Sequence, residues 1–128
     1  MKQKLRTLAR LLLGLMLVVF SLNFFFHFIP LPTPTEAMGK IEGAIYATGY
    51  WFQFEKILEL VIGLLLLSGY FIPLALVLLA PLTVNIVVMH VFLDPAGMGP
   101  ALVLLVLHLY LATTYFKYYR PFLVAKAD

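Results

Sequence analysis

The stretch FEKILELVIGLLLLSG, residues 54–69, begins with Glu55, Lys56 and Glu59 and continues into an apolar tract closed by Ser68 and Gly69. Either the three ionisable groups are the solvated entrance of a membrane helix, or one of them is carried into the bilayer. Tyr50 and Trp51, just upstream, suit the aromatic belt at a membrane–water boundary. At about 1.5 Å per residue, Glu59 then lies roughly 12 Å below that boundary. A charge deep in the hydrocarbon costs at least ~2.5–3.5 kcal/mol on insertion scales, so Glu59 is the residue that needs explaining.

The rest of the chain is of the same kind. Its 128 residues are 63% hydrophobic and 12% charged, against roughly 45–50% apolar and about 25% charged in a soluble domain. This composition is that of an integral membrane protein, with room for several spans of about 20 residues, so one domain over residues 1–128 is expected. The absence of cysteine excludes disulfides, thiol catalysis and cysteine-ligated metal or iron–sulfur clusters.

The net charge of +3 is carried largely by the ends. Lys2, Lys4, Arg6 and Arg10 precede the first apolar run, and Lys117, Arg120 and Lys126 follow the last. By the positive-inside rule both termini are cytoplasmic, so the number of spans is even. Basic residues beside apolar runs act as topology signals and lipid-headgroup contacts, not as a nucleic-acid face. The basic start and apolar middle of residues 1–22 resemble a signal peptide, but NFFFHFIP offers no small-residue cleavage pattern, and a retained span is expected.

Breakers divide the chain. The first span covers about residues 8–28 and ends at IPLPTPT, whose prolines cannot continue a helix. Residues 35–49 are of intermediate polarity: Thr35 suits an N-cap, and Gly39, Gly43 and Ala47 form a small-residue stripe suited to close packing on another helix. This segment is too short and too charged to span, and an interfacial helix is expected. Spans at about 50–68, 73–92 and 99–118 follow, separated by the turns SGYFIP and LDPAGMGP. Pro81 lies inside the third and removes the donor for the Val77 carbonyl. The expected fold is all-α: a polytopic bundle of four transmembrane helices with an extra interfacial helix between spans 1 and 2.

Polar residues carry the functional information in such a chain. Glu59, Asn85 and His108 come from three spans at nearly the same expected depth, and Glu55, Lys56, His90 and Asn23 lie nearer the outer surface. Glu55 and Glu59 share a face that Gly63 continues, and a glycine there permits close backbone approach. Asn85 and His90 are about 140° apart on a helix, and Asn85, on the Pro81 face, is expected to point inward. Glu55 and Lys56 suit a solvated pair at the entrance. Together the set fits an outward-opening pocket for a proton-accepting lipophile such as a quinone, since His and Glu exchange protons and Asn donates and accepts. It equally fits a hydrogen-bonded knot that fixes helix register, and it also fits contact with a partner protein. No Glu-x-x-His or His-x-x-x-His spacing occurs, so a metal or haem is not expected. FFFHF is expected to anchor in lipid, and no catalytic residue can be assigned.

RLLLGLMLVVFSLNFFFHFIPLP, ATGYWFQFEKILELVIGLLLL and FIPLALVLLAPLTVNIVVMHVFLDPAG, in that order, resemble the small bacterial DoxX membrane proteins over about residues 9–122. The combination of Lys56, Glu59 and Gly63 with PLALVLLAP, Asn85, His90 and LDP carries the resemblance. It implies a four-helix protein of the bacterial cytoplasmic (inner) membrane, associated with oxidoreductase complexes, quinone oxidation or oxidative-stress systems. Lys56, Glu59, Asn85 and His90 are the functional positions it implies, and His108 departs from a glutamate. The expected function is a membrane subunit or quinone-interacting partner of an oxidoreductase; a membrane-protein chaperone or scaffold, and a transporter of a small lipophile, are the alternatives. The lipid bilayer, an oxidoreductase subunit and a homo-oligomeric mate are the partners compatible with the sequence.

Overall fold

A computed structural model describes residues 1–127, which form helices and turns with no strand among them. The helices are α1 (Lys2–Phe26), α2 (Glu36–Ala47), α3 (Trp51–Ser68), α4 (Ile72–Leu93) and α5 (Met98–Thr114), with single 3₁₀ turns at Pro95–Gly97, Phe116–Tyr118 and Arg120–Phe122. Among the described residues three stretches are long and apolar enough to cross a membrane: α1, α4 and Pro95–Thr114, with mean hydropathies of 2.1, 2.4 and 1.7. Helix α3 packs among them and carries three charged side chains, Glu55, Lys56 and Glu59.

The helix ends follow local chemistry. At the end of α1 the buried Asn23 side chain donates to the Ile29 carbonyl at 3.1 Å and accepts from the Ile29 N–H at 2.7 Å, so one amide closes the exit turn. Thr35 caps α2 by accepting from the Met38 N–H at 3.2 Å, and its hydroxyl donates to the Leu93 carbonyl at 2.6 Å. That second bond pins the start of α2 to the end of α4. Gly69, at φ 84°, ends α3 in the left-handed region that favours glycine. Pro73 sits in the first turn of α4, where its missing N–H costs nothing, whereas Pro81 lies within the helix.

Helices α1, α3, α4 and α5 form a ring in which each packs on two neighbours, α1 on α3 and α5, α4 on α3 and α5. Phe24 lies against Phe52, and Arg10 reaches the end of α3, so α1 and α3 are antiparallel. Leu13, Leu17, Ile62, Leu66, Leu79 and Leu111 fill the centre. The tightest crossing is between Gly14 and Gly63: a Cβ on Gly63 would lie 2.9 Å from Val18 Cγ2 and 3.0 Å from the Gly14 carbonyl oxygen. Gly63 therefore serves the close approach its position suggested, against α1.

Helix α2 lies across one end of this ring and packs on α3 and α4. Its contact face is not the small-residue stripe: a Cβ on Gly43 would meet nothing within 4 Å, and Ala47 is exposed. Met38, Glu42 and Ile45, at i, i+4 and i+7, turn toward the bundle instead. The larger side chains have more area to bury, and the stripe is left outside. Tyr46 joins Phe24 and Phe52 in an aromatic cluster, with ring centroids 6.0 and 4.7 Å away. FFFHF is accordingly divided: Phe24 packs inside this cluster, while Phe26 and Phe28 are exposed.

Candidate functional site

The polar side chains inside the bundle separate into groups with different uses. His108, on α5, is buried against α4: Nδ1 is 2.8 Å from Thr83 Oγ1 and Nε2 is 3.0 Å from the Leu76 carbonyl oxygen. A carbonyl only accepts, so Nε2 carries a proton, and in the neutral ring Nδ1 accepts from the Thr83 hydroxyl. The two anchor points are seven residues apart in sequence, yet both reach one imidazole, because helix carbonyls point toward the C-terminus and side chains lean toward the N-terminus. Both ring nitrogens are used in tying α5 to α4. His108 therefore has the arrangement of a register lock.

Asn23 is likewise occupied, as the closure of α1. Asn85 does not meet Glu59 and His108 as its expected inward orientation required; it is exposed, and among the described residues its amide donates only to Met89 Sδ at 3.5 Å. The buried stripe of α4 runs Ile72, Leu76, Leu79 and Thr83, and the same phase continues through Ile86 to His90. Thr83, not Asn85, occupies the buried polar position. Because α4 is apolar on nearly every side, its sequence carried little information about which side faces in.

The remaining group gathers at the α2 end. Glu59 is 2% exposed, and its Oε2 accepts from Lys56 Nζ at 3.1 Å. The expected solvated pair of Lys56 with Glu55 is not formed; the ammonium turns inward, one turn along the same helix, to the buried carboxylate. Glu55, half-buried, lies within electrostatic reach of both. Glu42 of α2 faces the same region, within electrostatic reach of Lys56, His90 and Asp94. Burial raises the Glu42 pKa above its ordinary 4.5, Asp94 adds to the rise, and His90 and Lys56 oppose it.

His90 is half-buried and donates Nδ1–H to the Ile86 carbonyl at 2.8 Å, which leaves Nε2 facing away from its own helix. Its ring and the Asp94 carboxylate both lie over Gly97, where a Cβ would come within 3.0 Å of His90 Cδ2 and 2.8 Å of Asp94 Oδ2. Glu42 thus comes within electrostatic reach of Lys56, His90 and Asp94, and Lys56 in turn pairs with Glu59. Among the described residues no group of three or more His, Asp or Glu is placed to hold a metal ion. Glu42 and Asp94 were missed as site residues because each sits in a segment that sequence assigns to a surface helix or a turn. Only the fold of α2 back onto α3 and α4 brings them to Lys56 and His90.

At the opposite end, Arg10 was legible only as a topology charge. Its guanidinium donates to the Leu66 carbonyl and, at 3.3 Å, to that of Leu67, satisfying acceptors that the end of α3 leaves unpaired. Arg6 stacks over Tyr115 at 5.1 Å from the ring centre, and Tyr119 Oη donates to the Pro73 carbonyl at 2.9 Å. These contacts fasten α1, the α3–α4 turn and the C-terminal segment together. Compared with known protein families, with curated proteins and with solved structures, the chain matches none.

Proposed function

We propose that the chain is a four-span, DoxX-like protein of the bacterial cytoplasmic membrane, with α3 as the fourth span, α2 at the outer interface and both termini cytoplasmic. In this reading Lys56 and Glu59 are the working pair of a membrane subunit that engages a quinone on behalf of an oxidoreductase. The observation that carries it is the placement of Glu59. A buried polar group in a membrane bundle ordinarily joins helices, as His108 does, or closes a helix end, as Asn23 does. Glu59 does neither: its ion pair runs to Lys56 of its own helix. A charge that expensive to bury, and without architectural return, is retained for chemistry.

The donor set suits a quinone. The Lys56 ammonium would donate to a ring oxygen, Glu59 would hold a proton beside it, and the bound group would supply two-electron redox chemistry. His90, Glu42 and Asp94 give protons a route between this pair and the outer surface, and α2 limits access of water. A four-span count places α3 antiparallel to α1 and α4 and keeps the basic residues of both ends on one side.

Protein purified in mild detergent is expected to carry an extractable quinone, identified by mass, that is lost in Glu59→Gln and Lys56→Met while helix content stays unchanged. Glu59→Leu that folds and retains both the bound quinone and coupled oxidoreductase activity would overturn the proposal. Quinone-free protein that stabilises a client membrane protein at substoichiometric amounts would establish the chaperone alternative instead.

A further inference from the structure

The feature that neither the bundle nor the Lys56–Glu59 pair absorbs is Asn85. It lies eight residues from the end of α4 at Leu93, about 12 Å along the helix, in the most apolar of the three candidate spans. Among the described residues it is the one amide exposed away from a helix end. Among the described residues its Nδ2 reaches only the Met89 sulfur at 3.5 Å, a weak acceptor, and its Oδ1 takes no hydrogen bond. One turn away on the same side, Pro81 withholds the N–H that the Val77 carbonyl would otherwise receive. This face of α4 therefore presents two polar groups short of partners to a medium that offers none.

The residues around Asn85 form a seam. Leu74, Leu78, Pro81, Asn85, Val88 and Phe92 alternate at spacings of four and three residues, and all are exposed. This is the spacing of a helix that packs knobs into holes on another helix, with Asn85 at a central seam position, where an amide sets register. The exposed amides of the other helices, Gln3 and Gln53, lie in first turns, and the outward face of α5 is made of Leu102, Val103, Val106 and Leu109. Apolar side chains gain little by exchanging lipid for protein, whereas an amide gains hydrogen bonds.

We propose that the chain forms a homodimer through this face of α4, with Asn85 of each copy hydrogen-bonded to Asn85 of the other. A carboxamide is its own complement, with Nδ2–H of one matching Oδ1 of the next. A two-fold axis along the membrane normal places identical residues at identical depth, so the mate that meets Asn85 is Asn85. The two α4 helices run parallel and cross at the shallow angle typical of a heptad seam.

Because the chain has no cysteine, single substitutions report the interface directly. In native membranes, full-length Val88→Cys is expected to give an oxidant-dependent species of twice the chain mass, and Val106→Cys on α5 is not. In a detergent dilution series followed by energy transfer between labelled copies, Asn85→Val is expected to raise the dimer dissociation constant about tenfold, the sum of two amide bonds of ordinary membrane strength. Its unfolding temperature in the monomeric range should match the parent, since Asn85 supports nothing within the bundle. A monomer at every concentration, equal cross-linking from Val106→Cys, or a Val88→Cys adduct with a different protein would overturn the proposal. If Asn85→Val fails to fold, the two cysteine variants decide the matter alone.

Discussion

Among the buried polar residues, Ser21 donates to the Leu17 carbonyl one turn back on its own helix, while Thr83 and His108 bond to each other and His108 to the Leu76 carbonyl across the α4–α5 interface, which is how polar atoms are ordinarily made tolerable in hydrocarbon. Arg10 follows the same logic at the terminal end, where its positive charge meets the carbonyls and the negative dipole end of α3. Arg10→Gln is expected to destabilise the protein by about 1.5–3 kcal/mol, the range for hydrogen bonds to a charged group, measured by denaturant unfolding in detergent. An unchanged midpoint would reduce Arg10 to a topology signal. Glu59 differs from these in being a buried carboxylate, and its ion pair to Lys56 stays within α3. It is more buried than Glu55 and Lys56, and that it would stand apart from them was readable from its place in the apolar run. Its partner was not, because Lys56 has several rotamers and Glu55 and Glu59 are both within reach of them.

At the scale of elements, glycine marks where helices touch only when the three-dimensional neighbour is known. Gly63 and Gly43 both sit in helices beside other small or apolar residues, yet one is pressed against α1 and the other faces open space. Gly63→Ala would push a methyl group into the Gly14 carbonyl and Val18, and is expected to cost about 1–3 kcal/mol through overpacking. Gly43→Ala meets nothing and should gain about 0.5–1 kcal/mol through helix propensity. The two unfolding midpoints should move in opposite directions; movement in the same direction would refute the crossing. Element α4 shows the complementary difficulty. With apolar side chains facing both lipid and core, its pattern has no phase, so Asn85 and His90 could not be ordered from sequence.

For the whole molecule, α2 is the element that brings Glu42 within electrostatic reach of Lys56, His90 and Asp94. It is held by the Thr35–Leu93 hydrogen bond, by Tyr46 in the aromatic cluster, by the burial of Met38 and by the half-burial of Glu42. Glu42 gives this attachment a pH dependence. Its folded pKa lies above the ordinary 4.5, so the folded state holds its proton more tightly than the unfolded chain. The stability it contributes is complete below about pH 4.5 and is lost as pH rises through the folded value. Protection of α2 amides from hydrogen exchange is expected to fall across that window, and Glu42→Gln should flatten the slope. A slope unchanged in Glu42→Gln would assign the dependence to another group.

By itself the sequence determined that the chain is helical and built for a membrane, where its helices break, and that Glu59 stands apart from its charged neighbours. These follow from properties each segment carries alone: apolar length, proline and glycine punctuation, and distance along a helix. The tertiary structure decided the rest. It turned Lys56 to Glu59, gave His108 to Thr83 and Leu76, faced Asn85 outward, and folded Glu42 of α2 over His90 and Asp94. Each of those outcomes depends on how one helix is rotated against another, and in a chain whose inward and outward faces are equally apolar, rotation is set by packing between elements rather than by the pattern within any one of them.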